Sequence, residues 1–230
     1  MLSAAEAEAV ALSVRVATLA TVAAAVPAVA VAWVLERGRF PGRLLLDAVV
    51  GLPLVLPPVV TGYLLLVLLG RNGALGAFLF DTFGIAVAFT WYGAALASAV
   101  VAFPLFVRAV RLAIASIDPG LEAVARTLGA GRWRVFFEIT LPLAAPGVAA
   151  GAALAFARSL GEFGATIMLA GNIAGETRTV PLAIYTAVGT PGAEPVAMRL
   201  VVLAVVVSFV AMLGGEWMAR RAGDRASGGD

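Results

Sequence analysis

Asp118-Pro-Gly-Leu-Glu-Ala-Val-Ala-Arg-Thr-Leu-Gly-Ala-Gly-Arg-Trp-Arg-Val-Phe-Phe-Glu-Ile-Thr-Leu-Pro142 is a charged, amphipathic stretch in a chain that is otherwise almost uniformly apolar. Asp118 followed by Pro119 predicts a helix start, with a side-chain acceptor at the cap and a proline in the first turn. Leu121, Val124, Ala125 and Leu128 recur at i, i+3, i+4 and i+7, which makes one narrow apolar stripe. Gly129 and Gly131 can close the helix through a left-handed turn. A second short helix is predicted around Trp133, Phe136 and Phe137, and Pro142 opens the next apolar run. Both helices are too short to cross a bilayer and too apolar on one face to stay bare. They either pack beneath the membrane spans as an interfacial pair or dock a partner protein as a helix in a groove.

The rest of the chain sets the surroundings of this insert. Of 230 residues, 62% are hydrophobic and 13% charged, whereas soluble domains have about half and about a quarter. Several windows exceed the roughly 20 apolar residues that span a bilayer. Their continuity excludes a membrane β-barrel, whose strands alternate. The expectation is an all-α polytopic membrane bundle. Cysteine and histidine are both absent, which removes disulfides, thiol catalysis and the commonest metal ligand and general base. No catalytic or metal site is expected.

Five spans are predicted, at about Val10–Leu35, Leu44–Leu69, Ile85–Ala109, Leu143–Ala170 and Val196–Met218. The acidic start, with Glu6 and Glu8, predicts that the first run is a retained span and no cleaved signal. All 16 basic residues are arginines. Arg37, Arg39 and Arg43 follow the first span, Arg108, Arg111, Arg126, Arg132 and Arg134 follow the third, and Arg220, Arg221 and Arg225 follow the fifth. Arg71, Arg178 and Arg199 belong to the opposite side. With alternating spans the arginine-rich segments share one face, which the positive-inside rule makes cytoplasmic. The N-terminus is then outside and the C-terminus inside. Residues 1–219 are read as one transmembrane domain with the insert at 118–141, and 220–230 as a disordered cytoplasmic tail.

Two blocks within the spans carry further chemistry. Pro53, Pro57, Pro58 and Gly62 interrupt the second span, since each proline removes a backbone donor and clashes with the preceding turn. That helix is either kinked and well packed or borders a pathway, through Pro57, Pro58 and Thr61. In the fourth span Arg158 and Glu162 stand at i, i+4 and can pair. They form either a structural ion pair or part of an anion path, in which Arg158 supplies positive potential and Glu162 prevents trapping. Ser159, Gly161 and Gly164 beside them allow close helix approach or a polar lining. The loop from Gly171 to Glu194 is predicted as a connector with a short surface helix near Leu182–Val188, and Arg178 in it as either a solvated or a docking charge.

The insert resembles the Glu-Ala-Ala motif of ABC-importer permeases, in which Glu-Ala-Ala, three residues and Gly precede nine residues and Ile-x-Leu-Pro. Gly129, Ile139, Leu141 and Pro142 fit that frame. At its front the strict register gives Ala123-Val124-Ala125, and Glu122 stands seven residues before Gly129 instead of six. Arg158-Ser-Leu-Gly-Glu-Phe-Gly-Ala165, Gly175-Glu-Thr-Arg-Thr-Val-Pro-Leu-Ala-Ile-Tyr185 and the Pro57-Pro-Val-Val-Thr-Gly62 run are similar to the molybdate/tungstate branch of these permeases. The first of these is shared in style with the sulfate/thiosulfate branch, which is the alternative assignment. A passive anion channel is a remoter one.

The resemblance implies a type I importer transmembrane domain acting as a homodimer in a bacterial or archaeal inner membrane. It implies that Leu121, Glu122, Ala123, Val124, Ala125, Leu128, Gly129, Ala130, Ile139 and Pro142 form a coupling helix and its frame. That helix would sit on a cytoplasmic ABC ATPase dimer, with an extracytoplasmic molybdate/tungstate-binding protein on the other face. Without lysine the chain has no Walker sequence, so ATP and Mg are expected on the ATPase. The chain itself is expected to bind no cofactor and no nucleic acid.

Overall fold

The computed structural model describes residues 3–226, with side chains left undescribed at Met218 and from 222 onward. Every regular element among the described residues is helical. In chain order these are α1 (Ala4–Arg37), α2 (Arg43–Val55), α3 (Pro58–Leu69), α4 (Ala74–Phe83), α5 (Trp91–Ala115) and α6 (Pro119–Thr127). Then come α7 (Arg132–Val135), a π-helical turn (Phe136–Thr140), α8 (Leu141–Leu160), α9 (Gly164–Ala170), α10 (Val180–Val188) and α11 (Glu194–Ala226). Four segments are long and apolar enough to cross a membrane alone, and the bent pair α2–α3 brings the number to five.

Hydrogen bonds between distant segments fix the directions of the spans. Arg37 at the end of α1 donates to the carbonyls of Ile114 and Ile117 at the end of α5, so α1 and α5 run parallel. The chain must therefore cross back between them, and α2–α3 makes that crossing. Phe89 before α5 donates to the carbonyl of Leu169 in α9, which places the end of the α8–α9 run beside the start of α5. Arg199 in α11 pairs with Glu6 in α1 at 2.9 Å, so α11 starts where α1 starts. The odd number of crossings and the gathering of arginines at one end follow from these contacts.

Alanines set the packing distance in the core. Ala20, Ala24, Ala28 and Ala32 recur every fourth residue on α1 and are all buried. The last three join Phe106, Val107, Val110 and Ile114 of α5 and Ala144 and Ala155 of α8 in one cluster. Small residues let membrane helices approach closely where water supplies no driving force.

Three sequence expectations change. The second span is no single kinked helix: α2 and α3 meet at a bend of 113°. The residue before a proline is driven out of the helical region, and two such residues stand in succession, Leu56 at ψ 142° before Pro57 and Pro57 at ψ 133° before Pro58. Pro53, by contrast, stays inside α2.

The fourth span starts earlier than expected and breaks before its expected end. The second short helix of the insert is continuous with it through the π turn, where the Leu141 N–H reaches back to the Phe136 carbonyl. This wider turn directly precedes Pro142, which has no N–H to offer the ladder. The helix then stops at Gly161, and α9 begins separately at Gly164. Finally, α11 continues past 219 to Ala226, so the expected disordered tail is helical over 220–226. Residues 227–230 lie outside the described residues.

Candidate functional site

The insert is built to present one face and lock the other. The Asp118 carboxylate accepts from the Gly120 N–H at 2.8 Å and starts α6. Gly129, at φ 86°, ends it, and the Ala130 N–H closes the turn on the Ala125 carbonyl at 3.0 Å. This is the 6→1 bond of a Schellman cap, for which glycine is the natural left-handed residue.

Glu122 points inward and is buried at 5% exposure. Its Oε1 accepts from Arg37 Nε at 3.0 Å and from Thr140 Oγ1 at 2.9 Å, and its Oε2 lies 3.5 Å from Arg126. Arg37 also donates to the Ile114 carbonyl in the last turn of α5 at 3.0 Å and to the Ile117 carbonyl just beyond it at 3.2 Å, where a helix C-terminus favours a cation. One ion pair thus ties α6 to α1, α5 and the π turn.

The opposite face is bare. Leu121, Val124 and Leu128 are 49%, 59% and 83% exposed, Ala123 is exposed, and Ala125 and Ala130 are half-buried. The stripe does not pack against the spans of its own chain. Ile139 is half-buried and Pro142 exposed, and both belong to the π turn and α8 entry instead of the presented face.

The second candidate region lies where α3 meets α9. Glu162 sits in the break between α8 and α9 and is 2% exposed. Its Oε1 accepts from the Ala165 N–H at 2.8 Å, which starts α9. Its Oε2 lies 2.7 Å from Arg158 Nη1 but out of line for a directed hydrogen bond, so the contact is one of charge. The α3–α9 approach depends on glycine. A Cβ on Gly62 would stand 2.6 Å from the Ala165 carbonyl oxygen, and one on Gly164 would stand 3.0 Å from Pro58 Cβ.

The structure therefore brings Pro58 and the α3 face of Gly62 against the segment that follows Glu162. Thr61 and Ser159 are buried, and neither hydroxyl finds a hydrogen-bond partner among the described residues. Pro57 is exposed, and no hydrogen bond joins Thr61 to Arg158 or Glu162. At the other end α10 forms at Val180–Val188 as expected. Arg178 is not simply solvated: its Nε donates to Asn172 Oδ1 at 2.8 Å.

Two features escaped the sequence. The Arg37–Glu122–Thr140 cluster joins residues 85 and 18 positions apart, and no local pattern links them. Arg15, within the first span, lies 3.7 Å from the ring centroid of Trp91. An arginine in an apolar run needs such a partner, and that cost was the signal available.

Known proteins resemble this chain in sequence and in fold. The chain is 56% identical over 219 residues to the molybdenum transport system permease protein ModB of Escherichia coli K12, covering 95% of this chain and 96% of that protein. It is 58% identical over 194 residues to the protein of the same name from Haemophilus influenzae, covering 84% and 85%. A bacterial ABC transporter involved in the import of the acidic polysaccharide alginate shares the fold, with a TM-score of 0.75 at 22% identity over 96% of this chain and 80% of that one. Residues 16–224 match the family model described as binding-protein-dependent transport system inner membrane component, and the chain belongs to that family.

Proposed function

We propose that the chain is the membrane-spanning permease subunit of an ATP-driven importer for molybdate and tungstate. A separate ABC ATPase dimer drives it, and an extracytoplasmic binding protein feeds it. The observation that carries the coupling half is α6: an exposed apolar stripe on a helix whose polar face is locked into three other elements. Such a helix moves as one body with α1 and α5 when a partner pulls on it. The names of relatives at 56% and 58% identity support the substrate half. Two copies would form the pathway, with α6 of each seated on one ATPase subunit in the cytoplasm.

Transport follows from differential binding. The ATPase dimer must hold the two α6 helices differently in its closed and open states, because a ligand shifts an equilibrium only by its difference in affinity. Closure brings the α6 helices together and opens the bundle outward; hydrolysis resets it. The passenger is a tetrahedral dianion, and Arg158 is the cation placed at the α8–α9 break. Glu162 neutralises it between passages, so the path attracts an oxyanion without holding it. Pro57, Pro58, Thr61 and Ser159 would border this path.

The test is uptake into proteoliposomes holding the permease, its ATPase and its binding protein. Molybdate uptake should require ATP and the ATPase subunit, and tungstate should compete while sulfate does not. Equal competition by sulfate would move the assignment to the sulfate branch. Flux without the ATPase would make the chain a passive channel.

A further inference from the structure

We propose that the groove between α1 and the α7–α8 segment binds an anionic phospholipid, one acyl chain lying in the groove and the phosphate resting on Arg132. The groove has a volume of about 480 Å³ and is lined by alkyl and aromatic side chains, among them Val26, Val29, Trp33, Trp133, Phe137 and Leu141. It runs along α1 from Trp33 toward the middle of the helix, the direction an acyl chain takes from a headgroup. Its mouth is an aromatic cluster, with Trp33 5.5 Å from Trp133 and 4.9 Å from Phe136 between ring centroids. Indole rings favour the headgroup level of a bilayer.

Charge at the mouth selects the headgroup. Arg132 lies 4.6 Å from the centroid of the Trp33 ring, and no carboxylate among the described residues approaches within ion-pair distance of it. The acids at this end of the bundle are already engaged. Glu36 and Asp47 face Arg111, Glu122 faces Arg37, Glu138 faces Arg134 and Asp118 caps α6. Arg132 therefore stands at an apolar groove with its charge uncompensated, which suits a phosphate diester. A second copy of this chain would bring the same surplus of arginine to the mouth, and a soluble ATPase cannot follow the groove into the bilayer.

Brominated phospholipids quench nearby indoles, and this tests the site in the full-length chain. Of its four tryptophans, Trp91 and Trp217 lie outside the groove, so Trp91→Phe with Trp217→Phe leaves Trp33 and Trp133 as the reporters. In mixed vesicles, brominated phosphatidylglycerol should quench with an apparent affinity about fivefold above brominated phosphatidylcholine, as one arginine near an anionic surface gives. Arg132→Gln should bring the ratio near one, and Arg132→Lys should keep it. Quenching by phosphatidylcholine in Arg132→Gln shows that the variant is folded with its groove open. Equal affinity for the two lipids, a ratio unmoved by Arg132→Gln, or no quenching by either lipid, as when a second protein chain covers the groove, would each overturn the proposal.

Discussion

Glu122 shows how one carboxylate can serve assembly instead of chemistry. It is buried against Arg37 and Thr140, and removing one partner of a buried pair leaves the other charge unmatched. Glu122→Ala should therefore lower the stability of the purified chain by about 3 kcal/mol, seen as a lower Tm in detergent. The double variant Arg37→Gln with Glu122→Gln should lose less than the sum of the two single losses. Additive losses would mean that the pair is not coupled. This role was illegible in the sequence because Arg37 is 85 residues away and the motif register drew attention to Ala123. Arg158 and Glu162 were legible, since their i, i+4 spacing within an apolar run implied a pair, and the pair forms at 2.7 Å. Glu162→Gln can still accept from the Ala165 N–H while freeing Arg158. It should retain oxyanion longer and slow uptake, whereas Arg158→Gln should reduce uptake by weakening attraction. Both effects are read as uptake rates at matched assembly; if Arg158→Gln loses only assembly, the pair is a packing device.

Among the elements, α6 and the α3–α9 contact make separable demands. Leu128 is 83% exposed, so Leu128→Asp should change the Tm little yet weaken ATPase association by tenfold or more, as loss of an apolar anchor in a groove does. Unchanged association in a pull-down with the ATPase would remove α6 as the docking element. Gly62→Ala acts differently, because its Cβ would stand 2.6 Å from backbone oxygen in α9 and backbone cannot swing aside. It should cost about 1–3 kcal/mol through overpacking and lower the Tm without touching the ATPase surface. The helix caps of α6 were plain from Asp118, Pro119 and Gly129, whose chemistry is local. The breaks at Leu56–Pro57 and Gly161–Phe163 were only half-legible. Prolines announced the first, but hydrophobic runs read the same whether the helix continues or turns, so neither the 113° bend nor the separate start of α9 was visible.

Over the whole molecule, topology and charge combine into a claim about sidedness. The ends of α1 and α5 meet at Arg37, and α11 starts beside Glu6, so the arginine-rich loops and the end of α11 share one side. The arginine bias then predicts that this side faces the cytoplasm. The natural chain has no cysteine, so single cysteines can report sidedness without a background. Ser116 and Ala174 are exposed and lie at opposite ends. An impermeant maleimide should label Ala174→Cys, and leave Ser116→Cys unlabelled, in intact right-side-out vesicles. Inverted vesicles stripped of the ATPase should give the reverse. The opposite pattern would turn the bundle over and place α6 where no ATP exists, which would end the coupling assignment together with the orientation. Sidedness and coupling stand or fall together because the Arg37–Glu122 pair fixes α6 to the end of the bundle that carries the arginines.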